Sequence, residues 1–277
     1  TPEPGRFIHK TGSDYPSGAT LLQPGCQLTS RQIAVAASSG CTHLRVTRLP
    51  KISLVSTGDE LVEIDQPVAR HQIRSSNAYS LQAGLAALGI STVNRCHLND
   101  QPEELEKKLA ALLENADVLI LSGGVSKGRY DYVPEILQKL GLKKLFHGVA
   151  QRPGKPFWFG VKEGGPPVFA LPGNPLSTLV CFHRFVVPAL HKMLGLPPPQ
   201  PVWVSLAEAF DFKPPMTFFL PVMTKSRTNG LLSATPRPVS NSGDYASIVE
   251  PSGFVELPGE DLNDFPSGYC AKYFSWI

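Results

Sequence analysis

Three apolar stretches of this chain run straight into glycine: "LVSTGDE" (54–60), "LILSGGVSKG" (119–128) and "VFALPGNP" (168–175). Glycine lets a backbone take positive φ and approach a ligand closely. Loop N–H groups and a following helix start then favour an anion, most commonly a phosphate. Gly58, Gly123, Gly124, Gly128 and Gly173 supply that freedom here, and Ser122, Ser126, Ser177 and Thr178 add hydroxyl donors. Two acids stand at the same loops. Glu60 follows Gly58-Asp59, and Asp131 follows Ser126-x-Gly128. Carboxylates beside a phosphate usually hold Mg²⁺, which takes one or two protein oxygens plus phosphate and water. They also position a water for hydrolysis. A basic element completes the set. In "QRPGKPFWFG", Arg152 and Lys155 flank Pro153-Gly154, a turn that brings both cations near one point and makes a cradle for an oxyanion.

Each element has a plainer reading. A single glycine loop is equally a tight strand-to-helix turn; three in one domain argue for a site. Asp131 also suits a helix N-cap or a first-turn acid. For Asp59 a turn role is the preferred reading. Arg152 and Lys155 alone would be solvated loop cations. No Gly-Lys-Ser/Thr follows four residues after a glycine and Gly-x-Gly-x-x-Gly is absent, which excludes the common nucleotide signatures. His97, His147 and His183 have no metal-site spacing and read as structural or surface residues.

The elements that must position these residues follow from periodicity. From Lys51 onward, short apolar runs ("KISLVST", "STVNRCHL", "DVLILSGG", "PVFALPG") alternate with helical patterns ("SSNAYSLQAGLAALGI", "QPEELEKKLAALLENA", "DYVPEILQKLG") and one long pattern, "NPLSTLVCFHRFVVPALHKMLG". That alternation predicts an α/β domain over 49–196 with a mostly parallel sheet covered on both faces. In such a sheet, ligands bind beyond the carboxyl ends of the strands, where the glycine loops fall. Residues 1–48 carry turn residues every few positions and predict a small β-rich segment with one short helix at "SRQIAVAASSG", capped by Ser30. After the proline-rich "LPPPQP", short alternating runs predict a C-terminal all-β domain over 197–277.

Composition bounds the partners. The chain has 277 residues, 42% hydrophobic and 18% charged, with a net charge of +3. This suits a soluble globular protein and a small anionic ligand, not nucleic-acid binding. Five scattered cysteines without metal spacing suit a reducing compartment. No apolar run approaches the roughly 20 residues of a membrane span. "TPEPGRFIHK" lacks the apolar core of a secretory signal, so a cytoplasmic location without membrane contact is expected.

"ISLVSTGDELVE", "IRSSNAYSL", "LSGGVSKGRYDYV", "RPGKPFWFG" and "LPGNPLSTLVCF", in this order and spacing, resemble the molybdopterin molybdenumtransferase family, which includes MoeA proteins and the gephyrin E domain. The segments before and after, including "NSGDYASIVEPSGFVELP", resemble it as well, so the likeness covers essentially the whole chain. The resemblance implies an elongated homodimer of the molybdenum cofactor pathway. Its molybdopterin-binding α/β domain takes the pterin as its adenylate, inserts molybdate and cleaves the adenylate with a divalent cation such as Mg²⁺. Other molybdenum cofactor biosynthesis proteins are expected partners. Carried over by motif, Glu60 and Asp131 are the metal and catalytic carboxylates. Gly58 and Asp59 share the Thr-Gly-Asp-Glu turn, and Ser122, Gly123, Gly124, Ser126 and Gly128 line the phosphate and pterin loop. Gly173, Asn174 and Pro175, followed by Ser177, form a second wall. Arg152 and Lys155 bind the oxyanion, and Ser247 matches a serine near molybdate.

Some positions depart from the family pattern. The family's N-terminal region, with its Asp-Gly-Tyr-Ala type motif, has no counterpart in this sequence, so a fragment or a divergent protein is expected. Ser75 stands where an Asp is usual, Arg129 where Glu is common, Lys127 where an apolar residue is usual, and Pro221 where an Arg is usual. Cations at 127 and 129 would shift that loop from metal toward direct phosphate contact. Two functions therefore compete: a molybdenum-insertion enzyme, supported by Glu60 and Asp131, and a pterin- or nucleotide-binding scaffold with impaired catalysis, supported by Ser75 and Pro221.

Overall fold

The computed structural model describes residues 3–125, 131–197, 199–259 and 264–276. The chain begins with α1 (Ser30–Ser38) and then forms β1 (Ile52–Thr57), β2 (Leu61–Val62), β3 (Ile73–Arg74), α2 (Ser76–Ala87), β4 (Val93–Leu98), α3 (Pro102–Asn115) and β5 (Val118–Ser122). Next come α4 (Val133–Lys139), β6 (Lys143–His147), β7 (Gln151–Arg152), β8 (Trp158–Val161), β9 (Val168–Leu171), α5 (Pro175–Cys181) and α6 (Val187–Met193). Beyond Leu196 lie β10 (Val202–Leu206), β11 (Phe210–Asp211), β12 (Thr217–Ser226), β13 (Leu232–Pro236), β14 (Gly253–Leu257), β15 (Asp264–Phe265) and β16 (Cys270–Ser275).

One six-stranded sheet has the order β4-β1-β5-β9-β8-β6. The pairs β4–β1, β1–β5 and β5–β9 are parallel, and only β8 runs against its neighbours. The sheet is mixed but mostly parallel, as the alternating pattern predicts. Every residue of β1 and β5 is buried, because helices cover both faces. Ile52, Leu54, Val118 and Ile120 pack on one side with Leu81, Leu85, Phe182 and Leu190. Val55, Leu119 and Leu121 pack on the other with Leu105, Leu109, Ile136 and Leu137. Each fully buried leucine of this kind contributes about 1.5–3 kcal/mol.

The long helical pattern is interrupted. A π-helical segment, Phe182–Val186, joins α5 to α6. Pro188 explains it: its ring would meet the carbonyl of Arg184 in an α-helix and it has no N–H to donate, so the ladder widens by one residue.

The N-terminal expectation is corrected. Among residues 3–48 the described backbone forms turns and α1 and contains no strand. Only Ala36 in that stretch is buried, so its short apolar runs have no partner strand or core to hold them extended. The cap of α1 is Thr29, whose amide donates to Gln32 Oε1 at 3.2 Å, and Ser30 is the first helical residue.

The C-terminal region is β-rich. Its six-stranded sheet has the order β13-β10-β16-β14-β12-β7, beside the small pair β11–β15. The edge strand β7 comes from the middle of the α/β stretch, with Gln151 opposite Thr217 and Arg152 opposite Phe218. This pairing draws the Arg152–Lys155 turn away from the first sheet and against the second. Across the same boundary, Arg184 Nε donates to Glu256 Oε2 at 3.0 Å. Among the described residues, no helix is long and apolar enough to cross a membrane, and no cysteine is disulfide-bonded.

Candidate functional site

The carboxyl ends of β1, β5 and β9 open into a cleft of about 630 Å³. Gly58 leaves β1 at φ +136°, and the Glu60 carboxylate folds back so closely that a Cβ on Gly58 would lie 2.5 Å from Glu60 Oε2. Pairing of β2 with β3 then carries "IRSSN" alongside the Thr-Gly-Asp-Glu turn: Ile73 N donates to Glu60 O and Ser75 N to Val62 O, each at 2.8 Å. Gly123 and Gly124 follow β5 at φ +100° and +67°. They need to be glycine for two reasons. Positive φ strains other residues, and a Cβ at Gly123 or Gly124 would come within 2.6 Å of Thr57 O or 2.7 Å of Thr57 Oγ1, respectively.

The cleft has a hydroxyl-rich floor and an acidic rim. Ser56, Thr57, Ser75 and Ser122 are buried and line it. Ser75 Oγ donates to Ser56 Oγ at 3.3 Å. Asn77 Nδ2 donates to Ser122 Oγ at 3.0 Å, to Gly173 O at 2.7 Å and to Thr178 Oγ1 at 3.2 Å. On the rim stand Glu60, Asp100 and Asp131. The Asp100 carboxyl is pushed up to about 6, chiefly by burial and then by the charges of Asp59, Glu60 and Asp131. These acids therefore share one field, and their oxygen-only donors suit a hard divalent cation held by one or two carboxylates. Among the described residues, no cluster of three or more His, Cys, Asp or Glu side chains is arranged as a metal cage.

A second cleft, of about 540 Å³, lies where the Arg152–Lys155 turn meets the C-terminal sheet. Arg152, Lys155, Ser177, Pro221 and Ser242 line it, and Asn174 lines both clefts. Asn174 Nδ2 donates to Ser242 Oγ at 2.6 Å, and Leu176 N donates to Ser242 O at 3.1 Å. The 240–248 loop thus lies against both openings, giving Gly243 and Tyr245 to the acidic cleft and Asn241 and Ser242 to the basic one.

The sequence-expected residues separate into two groups. Gly58, Glu60, Ser122, Gly123, Gly124, Asp131, Gly173 and Pro175 line the acidic cleft with Asn174. Arg152, Lys155 and Ser177 line the basic one. Asp59 is exposed, and its Oδ1 accepts the Asp100 amide. Ser247 lines neither cleft; its hydroxyl and amide both donate to Asp244. Asp131 directly precedes the N-cap of α4, which is Tyr132. Ser126, Gly128, Lys127 and Arg129 lie outside the described residues. Sequence reasoning missed Asp100 and Asn77. An acid two residues after the strand "VNRCHL" marks another carboxyl strand end, the rule already applied to the glycine loops.

Fold and site together define a mostly parallel α/β domain with a polar, glycine-edged cleft at its strand ends. A family profile described as "Probable molybdopterin binding domain" matches residues 53–192. A Synechocystis sp. protein named molybdopterin molybdenumtransferase is 39% identical over 275 residues, which are 99% of this chain and 68% of that protein. A Bacillus subtilis protein of the same name is 34% identical over 260 residues, 92% of this chain and 59% of the relative. The solved structure of a molybdopterin biosynthesis MoeA protein from Pyrococcus horikosii superposes with a TM-score of 0.79 at 29% identity, covering 95% of this chain and 64% of that one. The chain belongs to the molybdopterin molybdenumtransferase family. It spans from about half to two thirds of the length of the curated relatives it matches.

Proposed function

We propose that this chain carries the insertion of molybdate into molybdopterin, presented as its adenylate, with cleavage of the adenylate. The observation that carries this reading is the meeting of two clefts of opposite charge at Asn174. The reaction needs both kinds of ground: a place for a pterin phosphate or adenylate with a divalent cation, and a place for an oxyanion. Gly123 and Gly124 with the hydroxyl floor suit the phosphate and ring. Glu60 and Asp131 would hold Mg²⁺, which when bound neutralises phosphate charge. Arg152 and Lys155, turned together by Pro153-Gly154, suit molybdate. The family name of the relatives supports the pterin and the metal oxyanion as substrates. A homodimer in the cytoplasm, working beside other molybdenum cofactor biosynthesis proteins, fits the same reading.

A binding-only scaffold is the weaker reading. Pro221 does line the basic cleft and brings no guanidinium there, and Ser75 brings no carboxylate. Yet Glu60 and Asp131 line the acidic cleft with Ser75, and Asp100 adds a further acid there. The test is molybdate-dependent conversion of adenylated molybdopterin by the wild type and by Asp131→Asn. A wild-type rate well above that of the variant is expected. Equal rates would overturn the enzyme reading.

A further inference from the structure

Among the hydroxyls at the base of the acidic cleft, Thr57 stands apart. Ser56 and Ser75 bind each other, Ser122 accepts from Asn77, and Thr178 Oγ1 donates to Pro172 O at 2.6 Å. Thr57 Oγ1 is sealed from solvent and has no hydrogen-bond partner among the described residues. The residue is 3% exposed and lines the cleft. A buried hydroxyl left unpaired is costly, and folded proteins rarely keep one without a use for it.

The surroundings suggest the use. Thr57 lies directly under the Gly123–Gly124 pair. A Cβ built on either glycine would reach within 3.0 Å of Oγ1 at Gly123 and 2.7 Å at Gly124, so only hydrogen atoms separate the hydroxyl from that stretch of backbone. Both glycines have positive φ, and glycine changes backbone state at little steric cost. If a peptide group in this pair rotates so that its N–H meets an anion in the cleft, its carbonyl swings to the opposite side. The unpaired Thr57 hydroxyl, close against both glycines, would then be a donor within its reach.

Gly123 N already donates to Leu171 O at 3.1 Å, which leaves the Gly123–Gly124 peptide as the group that can turn. We propose that Thr57 is a positioning residue for anion binding: its hydroxyl, unpaired in the free protein, donates to the Gly123 carbonyl in the ligand-bound state and holds the Gly124 N–H on the anion. This rests on the reading of the acidic cleft as the phosphate site. It differs from a purely structural role in a way that can be measured. Removing the hydroxyl without changing shape should cost the free protein nothing while weakening the bound state.

The experiment compares the wild type, Thr57→Val and Thr57→Ser, with AMP plus Mg²⁺ as the probe. Calorimetry reads affinity, thermal unfolding reads the free protein, and amide NMR shifts of Gly123 and Gly124 read the loop. The expected result is a Thr57→Val melting temperature no lower than that of the wild type, AMP affinity reduced about 5- to 10-fold, in line with one lost hydrogen bond, and muted glycine shifts on titration. Thr57→Ser should keep the affinity and the shifts. Thr57→Val binding as tightly as the wild type overturns the inference, as does a loss of affinity in Thr57→Ser as large as that in Thr57→Val. If Thr57→Val does not fold, Thr57→Ala takes its place with the same readouts, the same expected loss and the same overturning result. Absence of AMP binding by the wild type overturns the phosphate-site reading itself, and the inference with it.

Discussion

The backbone amide of Asp100 donates to Asp59 Oδ1 at 3.0 Å, which ties the end of β4 to the turn that carries Glu60. This bond sets Asp100 among three other acids and explains why its carboxyl is raised to about 6, with burial as the largest cause. The unfolded value is about 3.9. Between these values the folded chain binds more protons than the unfolded one, so stability falls as pH rises through that window. Above pH 6 the full penalty is present; below pH 4 it has gone. Asp100→Asn removes it. In chelator, the variant should be more stable than the wild type at pH 7, by on the order of 1 kcal/mol after solvent screening, and no more stable at pH 4. Denaturant titrations at the two pH values check this; a gain that is the same at both would refute it.

Gly124→Ala should damage the acidic cleft without touching a charge. The new Cβ would lie 2.7 Å from Thr57 Oγ1 and 2.8 Å from Val133 Cγ2, at a φ of +67°. Strain and overpacking together should cost about 2 kcal/mol. A urea midpoint close to that of the wild type would show that the loop accommodates a methyl group.

Much of this arrangement was legible in the sequence, and its limits are physical. Apolar runs ending in Gly58, Gly123 and Gly173 marked three strand ends, because burial on both faces forces unbroken apolar strands and ligand sites need glycine at their ends. Asp100 and Asn77 were not found, since a lone acid or amide has no spacing to betray it; they matter only once β4 and α2 are brought to the cleft. Pairing of β7 with β12 was equally hidden. Gln151-Arg152 is too short to read as a strand, and its partner Thr217 lies 66 residues further on. That pairing is why the basic turn faces a different cleft from Glu60. The N-terminal segment misled because turn residues alone predict chain reversals, and strands also require partners.

Arg152→Ala and Lys155→Ala should each weaken oxyanion binding in the basic cleft while leaving AMP binding at the acidic cleft nearly unchanged. Each cation at a partly exposed site is worth about 1 kcal/mol, or roughly a 5-fold change in affinity. Both effects should shrink as salt is raised from low to physiological strength. Molybdate or sulfate titrations of the three proteins at two ionic strengths check this. Parallel losses of AMP and oxyanion affinity would mean that the two clefts are not separate sites.

Asn77 is the joint of the acidic cleft. Its single amide nitrogen has three acceptors within reach: Gly173 O at 2.7 Å, Ser122 Oγ at 3.0 Å and Thr178 Oγ1 at 3.2 Å. Two hydrogens cannot serve three acceptors fully, so the two shorter bonds carry most of the energy. They join the ends of β5 and β9, neighbouring strands whose loops lie side by side at the cleft. Asn77→Ala should leave the Gly173 carbonyl without its donor and cost about 1–3 kcal/mol. Asn77→Asp should cost more than Asn77→Ala at neutral pH, because a carboxylate oxygen would then oppose that carbonyl. Lowering the pH toward 4 should narrow the gap as the carboxylate protonates and regains a donor. The order of the two variants also tests the orientation of the amide. Because the Gly173 carbonyl can only accept, the atom facing it is the amide nitrogen, and an Asn77→Asp variant at least as stable as Asn77→Ala at neutral pH would refute that donation.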